Sequence, residues 1–129
     1  MPESSTFTLT RIGQISVNAK DLDRAVEFYR EKLALKHLFT VPKMAFFDCG
    51  GIRLMLAIPE SAEFDHPSSV IYFSVDDIQR AFEVLTKRGV RFEGQPHLIA
   101  KMEGYDLWMA FFRDSEDNVL SLMCNVPRK

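Results

Sequence analysis

The side chains best suited to bind a metal are few and lie far apart in the sequence. His37, His66 and His97 form no recognised metal-ligand spacing with one another. They fall in a strand-like run, a polar segment and the start of another strand-like run, so we expect surface or loop positions for them. His97, in QPHLIAKM, is the histidine that a loop could bring to the mouth of a cleft.

The cysteines and the one acidic cluster also have ordinary structural interpretations. Cys49 and Cys124 lie in the apolar runs FFDCGG and LSLMCNV, which is typical of small buried hydrophobic residues rather than of redox or metal sites. The cluster DSEDN, residues 114–118, has the composition of a calcium loop. It lacks the glycine and the distal glutamate of that motif, so it predicts a tight turn.

The composition is that of an ordinary globular domain, and we expect residues 1–129 to form a single one. Hydrophobic residues make up 47% of the chain and charged residues 26%. Sixteen basic and 18 acidic residues give a net charge of −2, which argues against nucleic acid as a partner. The segment MPESSTFTLTR does not resemble a signal peptide and no apolar stretch is long enough to span a membrane. We therefore expect a cytoplasmic protein with no membrane partner.

One nine-residue segment occurs twice, as DLDRAVEFY (21–29) and as DIQRAFEVL (77–85). Four residues are identical between the two copies: Asp21, Arg24, Ala25 and Glu27 match Asp77, Arg80, Ala81 and Glu83. Each copy predicts an amphipathic helix capped by an aspartate, with Asp76 or Asp77 as the cap of the second. Gly89 is expected to end the second helix.

Strand-like runs surround both predicted helices in the same order. IGQISV precedes the first helix, and LKHLFTV, MAFFDC and IRLMLAI follow it. VIYFSV precedes the second helix, and the segments RFEG, HLIAKM, LWMAFFRD and NVLSLMC together supply the remaining strands. The order is βαβββ twice, with modules at about 10–59 and 69–126 and a linker at 60–68. It predicts an α+β fold in which two modules form a curved mixed sheet around a cleft.

Three segments resemble the vicinal oxygen chelate superfamily, which includes glyoxalase I, extradiol dioxygenases, fosfomycin-resistance enzymes and bleomycin-binding proteins. They are IGQISVNAKDLDRAVEFY, IYFSVDDIQRAFEVLTKRGVRF and FFRDSEDNVLSLM, and the similarity runs from about Arg11 to Cys124. The resemblance implies the glyoxalase-like fold of paired βαβββ modules, usually a homodimer, and a ligand site on the concave sheet.

The resemblance also implies four positions at which enzymes of this superfamily hold a divalent metal. They correspond here to Gln14, Val70, Ser121 and either Met55 or Arg53. A catalytic cation needs about three oxygen or imidazole ligands, whereas a valine cannot coordinate and an arginine repels a cation. We therefore expect no metal and no other cofactor.

The face that carries these positions predicts the ligand-binding residues. They are Gln14, Ser16, Arg53, Met55, Val70, Tyr72, His97, Trp108, Phe112, Ser121 and Met123. Two alternatives stay open in LWMAFF, because either Trp108 with Phe112 or Met109 with Phe111 could share a face. Arg53 either extends to solvent or binds a carboxylate or phosphate of a ligand.

These residues favour a protein that binds a small organic molecule without a metal, related in architecture to the antibiotic-sequestering members. Bleomycin itself does not suit the neutral to basic lining. The alternative is a lyase, isomerase or dioxygenase-type enzyme, either metal-dependent or with Tyr72, His97 or Arg53 as acid, base or electrostatic clamp. A third hypothesis is an interaction module whose cleft is filled by its own side chains.

Overall fold

A computed structural model describes residues 7–128, so residues 1–6 and 129 of the predicted domain lie outside the described part. The strands are β1 (Gln14–Asn18), β2 (Lys36–Val41), β3 (Met44–Cys49), β4 (Ile52–Ala57), β5 (Ile71–Ser74), β6 (Arg91–Phe92), β7 (His97–Lys101), β8 (Tyr105–Arg113) and β9 (Val119–Pro127). The helices are α1 (Leu22–Glu27), which continues as a π-helical turn over Phe28–Lys32, and α2 (Ile78–Lys87). A 3₁₀ turn, Ala62–Phe64, lies in the predicted linker.

The strands form two mixed sheets with the same topology, which confirms the α+β class and the duplicated order. The first sheet has the order β1-β4-β3-β2, and the second has the order β5-β9-β8-β6 with β7 also paired to β8. In both sheets the first strand of the module runs parallel to its last strand. Strands β6 and β7 together occupy the place that β2 has in the first sheet. Gly94 (φ 149°) and Pro96 lie between β6 and β7 and interrupt the pairing with β8.

Both helices begin at the predicted aspartates. The side chain of Asp21 accepts a hydrogen bond from the backbone N–H of Arg24 at 3.1 Å, and Asp77 accepts one from Arg80 at 3.0 Å. Gly89 follows the end of α2 with φ of 91°, a left-handed conformation that glycine adopts without strain. No helix within residues 7–128 is long and apolar enough to cross a membrane.

One hydrophobic core joins the two modules and uses the helices and one side of each sheet. Its members include Val17, Ala25, Phe47, Leu54 and Leu56 from the first module and Ile78, Leu85, Ala110, Phe112, Leu120 and Leu122 from the second. Because side chains alternate along a strand, the intervening residues of β1, β4, β5 and β9 point away from this core. The predicted ligand-binding residues on these strands lie on those outer faces.

Candidate functional site

The first module brings three predicted residues into contact on its outer face. Gln14 on β1 lies beside Arg53 on β4, and Ser16 lies beside Met55. Nε of Arg53 donates to Oε1 of Gln14 at 3.0 Å, and Nε2 of Gln14 lies 3.7 Å from the sulfur of Met55. The parallel pairing of β1 with β4 therefore places a cation, an amide and a thioether side by side.

Two phenylalanines outside the predicted set complete this surface. The Arg53 guanidinium lies over the ring of Phe46, 4.7 Å from its centroid, and the Phe46 and Phe39 rings are also 4.7 Å apart. We call this surface the Arg53 face: Gln14, Ser16, Phe39, Phe46, Arg53 and Met55. The sequence does contain a signal for Phe46, namely the tight turn at Gly50 and Gly51, both at positive φ. Counting residues outward from this turn along β3 and β4 pairs Phe46 with Met55.

The second module presents a different, more apolar outer face. Tyr72 on β5, Ser121 on β9 and Phe111 on β8 are successive cross-strand neighbours, and the Tyr72 and Phe111 rings meet edge to face at 6.1 Å. His97 pairs with Met109. We call this surface the Tyr72 face: Tyr72, His97, Met109, Phe111, Ser121 and Met123.

Ser121 and His97 are held by backbone groups on this face. Ser121 is 0% exposed, and its hydroxyl donates to the Leu122 carbonyl at 2.8 Å. The Ala110 carbonyl is a second acceptor, 3.2 Å from the same hydroxyl. Nδ1 of His97 lies 3.1 Å from the Gln95 carbonyl, and its ring centroid is 6.5 Å from that of Phe111. Val70 lies just before β5 and is exposed.

Trp108 and Phe112, which we predicted to contact a ligand, lie on the opposite side of the second sheet. Phe112 pairs with Leu120 and is 0% exposed in the core, and Trp108 pairs with Cys124 and packs against the same core. The physical reason is the length of the β8–β9 turn. Its five residues, 114–118, pair Arg113 with Val119, which sets Phe111 opposite Ser121. The other alternative, Met109 with Phe111, therefore lies on the Tyr72 face.

The two faces do not line a common pocket in one chain. Ser16 and Met55 of the Arg53 face open onto a cavity of about 410 Å³ that is also lined by the linker residues Phe64 and His66. His97 and Phe111 line a separate depression beside Gly94. None of the principal pockets within residues 7–128 includes members of both faces.

An ion pair between the buried Glu116 and the half-exposed Arg24, together with a buried tyrosine, connects the modules behind these faces. Oε1 of Glu116 accepts from the backbone N–H groups of Lys20 and Asp21 at 2.7 and 2.9 Å, and Oε2 accepts from Nε of Arg24 at 2.7 Å. The Tyr29 hydroxyl donates to Asp114 at 2.7 Å. We call Arg24, Tyr29, Asp114 and Glu116 the module latch.

The latch holds Glu116 ionised and Tyr29 neutral. Burial by itself would raise the pKa of Glu116, but hydrogen bonds from Arg24, Asp21, Lys20 and Ser115 outweigh it and lower the pKa to about 2. Burial, followed by the nearby Asp114 carboxylate, raises the pKa of Tyr29 well above its usual range. The predicted turn at DSEDN is present, but the contacts of Asp114 and Glu116 with the first module were not predicted.

The comparisons with known proteins agree with the duplicated fold. A sequence profile of the Glyoxalase/Bleomycin resistance protein/Dioxygenase superfamily matches residues 11–122. The chain belongs to this superfamily. The predicted resemblance is therefore confirmed over most of the chain.

Individual proteins are also similar to this chain in sequence or in structure. The chain is 27% identical over 126 residues to the uncharacterized protein YraH of Bacillus subtilis (strain 168), covering 87% of this chain and 96% of that protein. A glyoxalase/bleomycin resistance protein/dioxygenase from Nocardioides has a TM-score of 0.76 at 21% identity, covering 96% of this chain and 89% of that chain. A lactoylglutathione lyase from Agrobacterium tumefaciens has a TM-score of 0.70 at 22% identity, covering 90% and 94%. At these identities the structures support the shared fold.

The residues at the four expected positions of this superfamily member do not fit a divalent metal. The amide oxygen of Gln14 accepts from Arg53, the Ser121 hydroxyl is bound to backbone carbonyls, and Val70 has no donor atom. Met55 offers a thioether, which is a poor ligand for the cations that oxygen and imidazole sites bind. No group of three His, Cys, Asp or Glu side chains within residues 7–128 is placed to hold an ion.

The histidines and cysteines outside the two faces are not placed together as metal ligands in the described residues. His66 is exposed in the linker, and His37 is half-buried with its Nε2 atom 2.7 Å from the Thr40 hydroxyl. Cys124 is buried and Cys49 half-buried, both as free thiols. Burial, followed by the nearby Asp48, raises the pKa of Cys49, which disfavours the reactive thiolate.

Proposed function

We propose that this protein is a homodimer that binds a small organic molecule without a resident divalent metal. In this proposal the Arg53 face of one protomer and the Tyr72 face of its partner form each binding cleft. The observation that carries the proposal is the placement of the two faces. They lie on the outer sides of two sheets that share one core, so one chain cannot bring them together without opening that core.

The exposure of apolar side chains on both faces supports a second copy as the covering surface. Phe39 and Tyr72 are each 44% exposed, and Val41 at the end of β2 is also exposed. Large exposed apolar side chains that share a face are typical of interaction surfaces or ligand sites. A twofold axis that sets one Arg53 face against one Tyr72 face repeats the same contact at the second cleft.

The chemistry of the two faces together suits a small-molecule site. The Arg53 face supplies one cation, one amide and one hydroxyl, and the Tyr72 face supplies aromatic rings with the thioethers of Met109 and Met123. Binding sites for small molecules are mostly apolar with a few placed polar groups. Membership of a superfamily that contains glyoxalases and bleomycin resistance proteins is consistent with this use of the fold.

The first test is the stoichiometry of a neutral fluorescent probe, N-phenyl-1-naphthylamine, measured together with the mass of the protein in solution. We expect a dimer that takes up one probe molecule per chain. Tyr72→Ser is expected to weaken uptake, and Leu98→Ser is the matched control. Leu98 is 40% exposed but pairs with Trp108, so it lies off the Tyr72 face. Equal effects of the two substitutions, or no uptake by the wild type, would refute the site.

Mixing variants tests whether each cleft combines two chains. Phe39→Ser alters only the Arg53 face and Phe111→Ser alters only the Tyr72 face, and each should weaken binding of the neutral probe. Random co-refolding of the two variants gives mixed dimers in which one of the two clefts is wild type, so about a quarter of all clefts are restored. A cleft built within one chain predicts no restoration, and a monomer in sedimentation experiments would refute the shared cleft directly.

A further inference from the structure

We infer that the ligand of the proposed cleft is an organic anion whose charged group is bound by Arg53 and whose apolar body lies against the Tyr72 face. This inference depends on the proposed function, since it specifies the ligand class of that cleft. It concerns the one strongly charged side chain among the members of the two faces.

The Arg53 side chain is held in a fixed orientation with its terminal donors available. One side of the guanidinium is bound to Gln14 through Nε, and its central carbon Cζ lies over the Phe46 ring, 4.7 Å from the centroid. These two contacts leave the Nη groups without a side-chain acceptor in the described structure. An arginine fixed in this way loses less side-chain entropy when it binds a ligand.

Within the described residues Arg53 forms no ion pair with a carboxylate. Four other arginines do: Arg24, Arg30, Arg113 and Arg128 each contact an aspartate or glutamate. Asp48 is the cross-strand partner of Arg53 on β3, yet the Arg53 side chain interacts with Gln14 on β1 instead. A guanidinium fork of this kind matches the two oxygens of a carboxylate, sulfonate or phosphonate.

The second module has a valine, Val119, at the position equivalent to Arg53. Gln14 lies seven residues before the helix cap Asp21, and Val70 lies seven residues before the cap Asp77. The strand register that pairs Ile71 with Leu120 sets Val119 beside Val70, where the first module has Arg53 beside Gln14. Arg113 lies next to Val119 on the same side of β8 but is paired with Glu93. Arg53, whose Nη groups have no such partner in the described residues, would therefore bind the charged group of the ligand, opposite an aromatic and thioether surface. This arrangement suits an amphipathic anion with one charged group.

Two fluorescent probes that differ only by one sulfonate group test the inference. The anionic probe is 8-anilinonaphthalene-1-sulfonate, and the neutral probe is N-phenyl-1-naphthylamine, which lacks the sulfonate. We expect Arg53→Met to weaken binding of the sulfonate by about tenfold or more, because a charge-assisted bidentate contact is lost. Binding of the neutral probe should change little, and Arg53→Lys should give an intermediate loss for the sulfonate alone.

Controls separate failure of this inference from failure of the proposed cleft. Arg30→Met removes an exposed arginine on the α1 side of the molecule and should leave both probes unaffected. Added salt should weaken sulfonate binding to the wild type more than to Arg53→Met. If both probes bind and Arg53→Met affects neither, or affects both equally, the anion inference is wrong while the cleft stands. If neither probe binds the wild type, the proposed cleft is wrong and the inference falls with it.

Discussion

Replacing Glu116 by glutamine should destabilise the protein in a pH-dependent way. Glutamine keeps the shape of the side chain and one acceptor oxygen for the backbone N–H groups of Lys20 and Asp21. Its amide nitrogen then faces Nε of Arg24, so a donor meets a donor where the wild type has an ion pair at 2.7 Å. The contact between α1 and the β8–β9 turn loses its charge-assisted hydrogen bond.

The expected magnitude follows from the pKa of Glu116. Folding lowers this pKa from 4.5 to about 2, which corresponds to about 3 kcal/mol of stability at neutral pH. The Glu116 side chain is 1% exposed but that of Arg24 is 53% exposed, so solvent screening reduces the contribution. We expect Glu116→Gln to cost about 2 kcal/mol at pH 7, a fall in melting temperature of about 8 °C for a chain of this size.

The sign of the pH dependence distinguishes this ion pair from ordinary packing. A carboxylate with a lowered pKa stabilises the fold above its unfolded pKa, and this stabilisation is lost as the pH falls from 4.5 towards 2. Urea titrations should therefore show a difference in unfolding free energy between wild type and variant that is largest near neutral pH. This difference should become smaller as the pH falls from 4.5 towards 2. Glu31→Gln, at an exposed pair with Arg30, should change stability by less than about 0.5 kcal/mol. A difference in unfolding free energy that stays constant with pH would refute the assigned role of the ion pair.

Three further substitutions test the backbone and the strand register. Ala34 has a φ of 59°, so Ala34→Gly should raise the unfolding free energy by about 0.5–1 kcal/mol in urea titrations, and a decrease would contradict the expected strain. Phe112→Ala should cost about 3–5 kcal/mol because the ring is buried in the core, whereas Phe111→Ala should cost about 1–2 kcal/mol and weaken probe binding. The reverse order of stabilities would mean that β8 presents its other side to the core.

The helices and their caps were predictable because the interactions that define them are local. Asp21 caps a backbone N–H three residues away, and Asp77 does the same in the second module. The repeat then made the strand order of one half a guide to the other. Such signals survive in a single sequence because they depend on spacing over a few residues.

The face assignment of β8 needed information that alternation alone does not contain. Alternation has two phases, and a shift of one residue exchanges the core and outer faces. The predicted pair Trp108 and Phe112 followed the wrong phase. Counting back through the five-residue turn at 114–118 would have selected Phe111 instead.

The module latch could not be predicted from local patterns. Tyr29 and Asp114 are 85 residues apart, and Glu116 contacts a backbone N–H 96 residues away. Either carboxylate alone has the appearance of an exposed turn residue, which is how the DSEDN segment was interpreted. Only the packing of α1 against the second module buries them and makes their pairing necessary.

The two modules share one fold but differ in the residues that form the module latch and the outer faces. Tyr29 in the first module occupies the place of Leu85 in the second, so only one helix carries the hydroxyl that contacts Asp114. Gln14 in the first module occupies the place of Val70, so only one outer face has the amide that orients an arginine. Two identical faces would oppose cation to cation across the proposed dimer cleft. A polar face and an aromatic face can instead bind the two ends of one ligand, and the same asymmetry gives the chain a single latch between its halves.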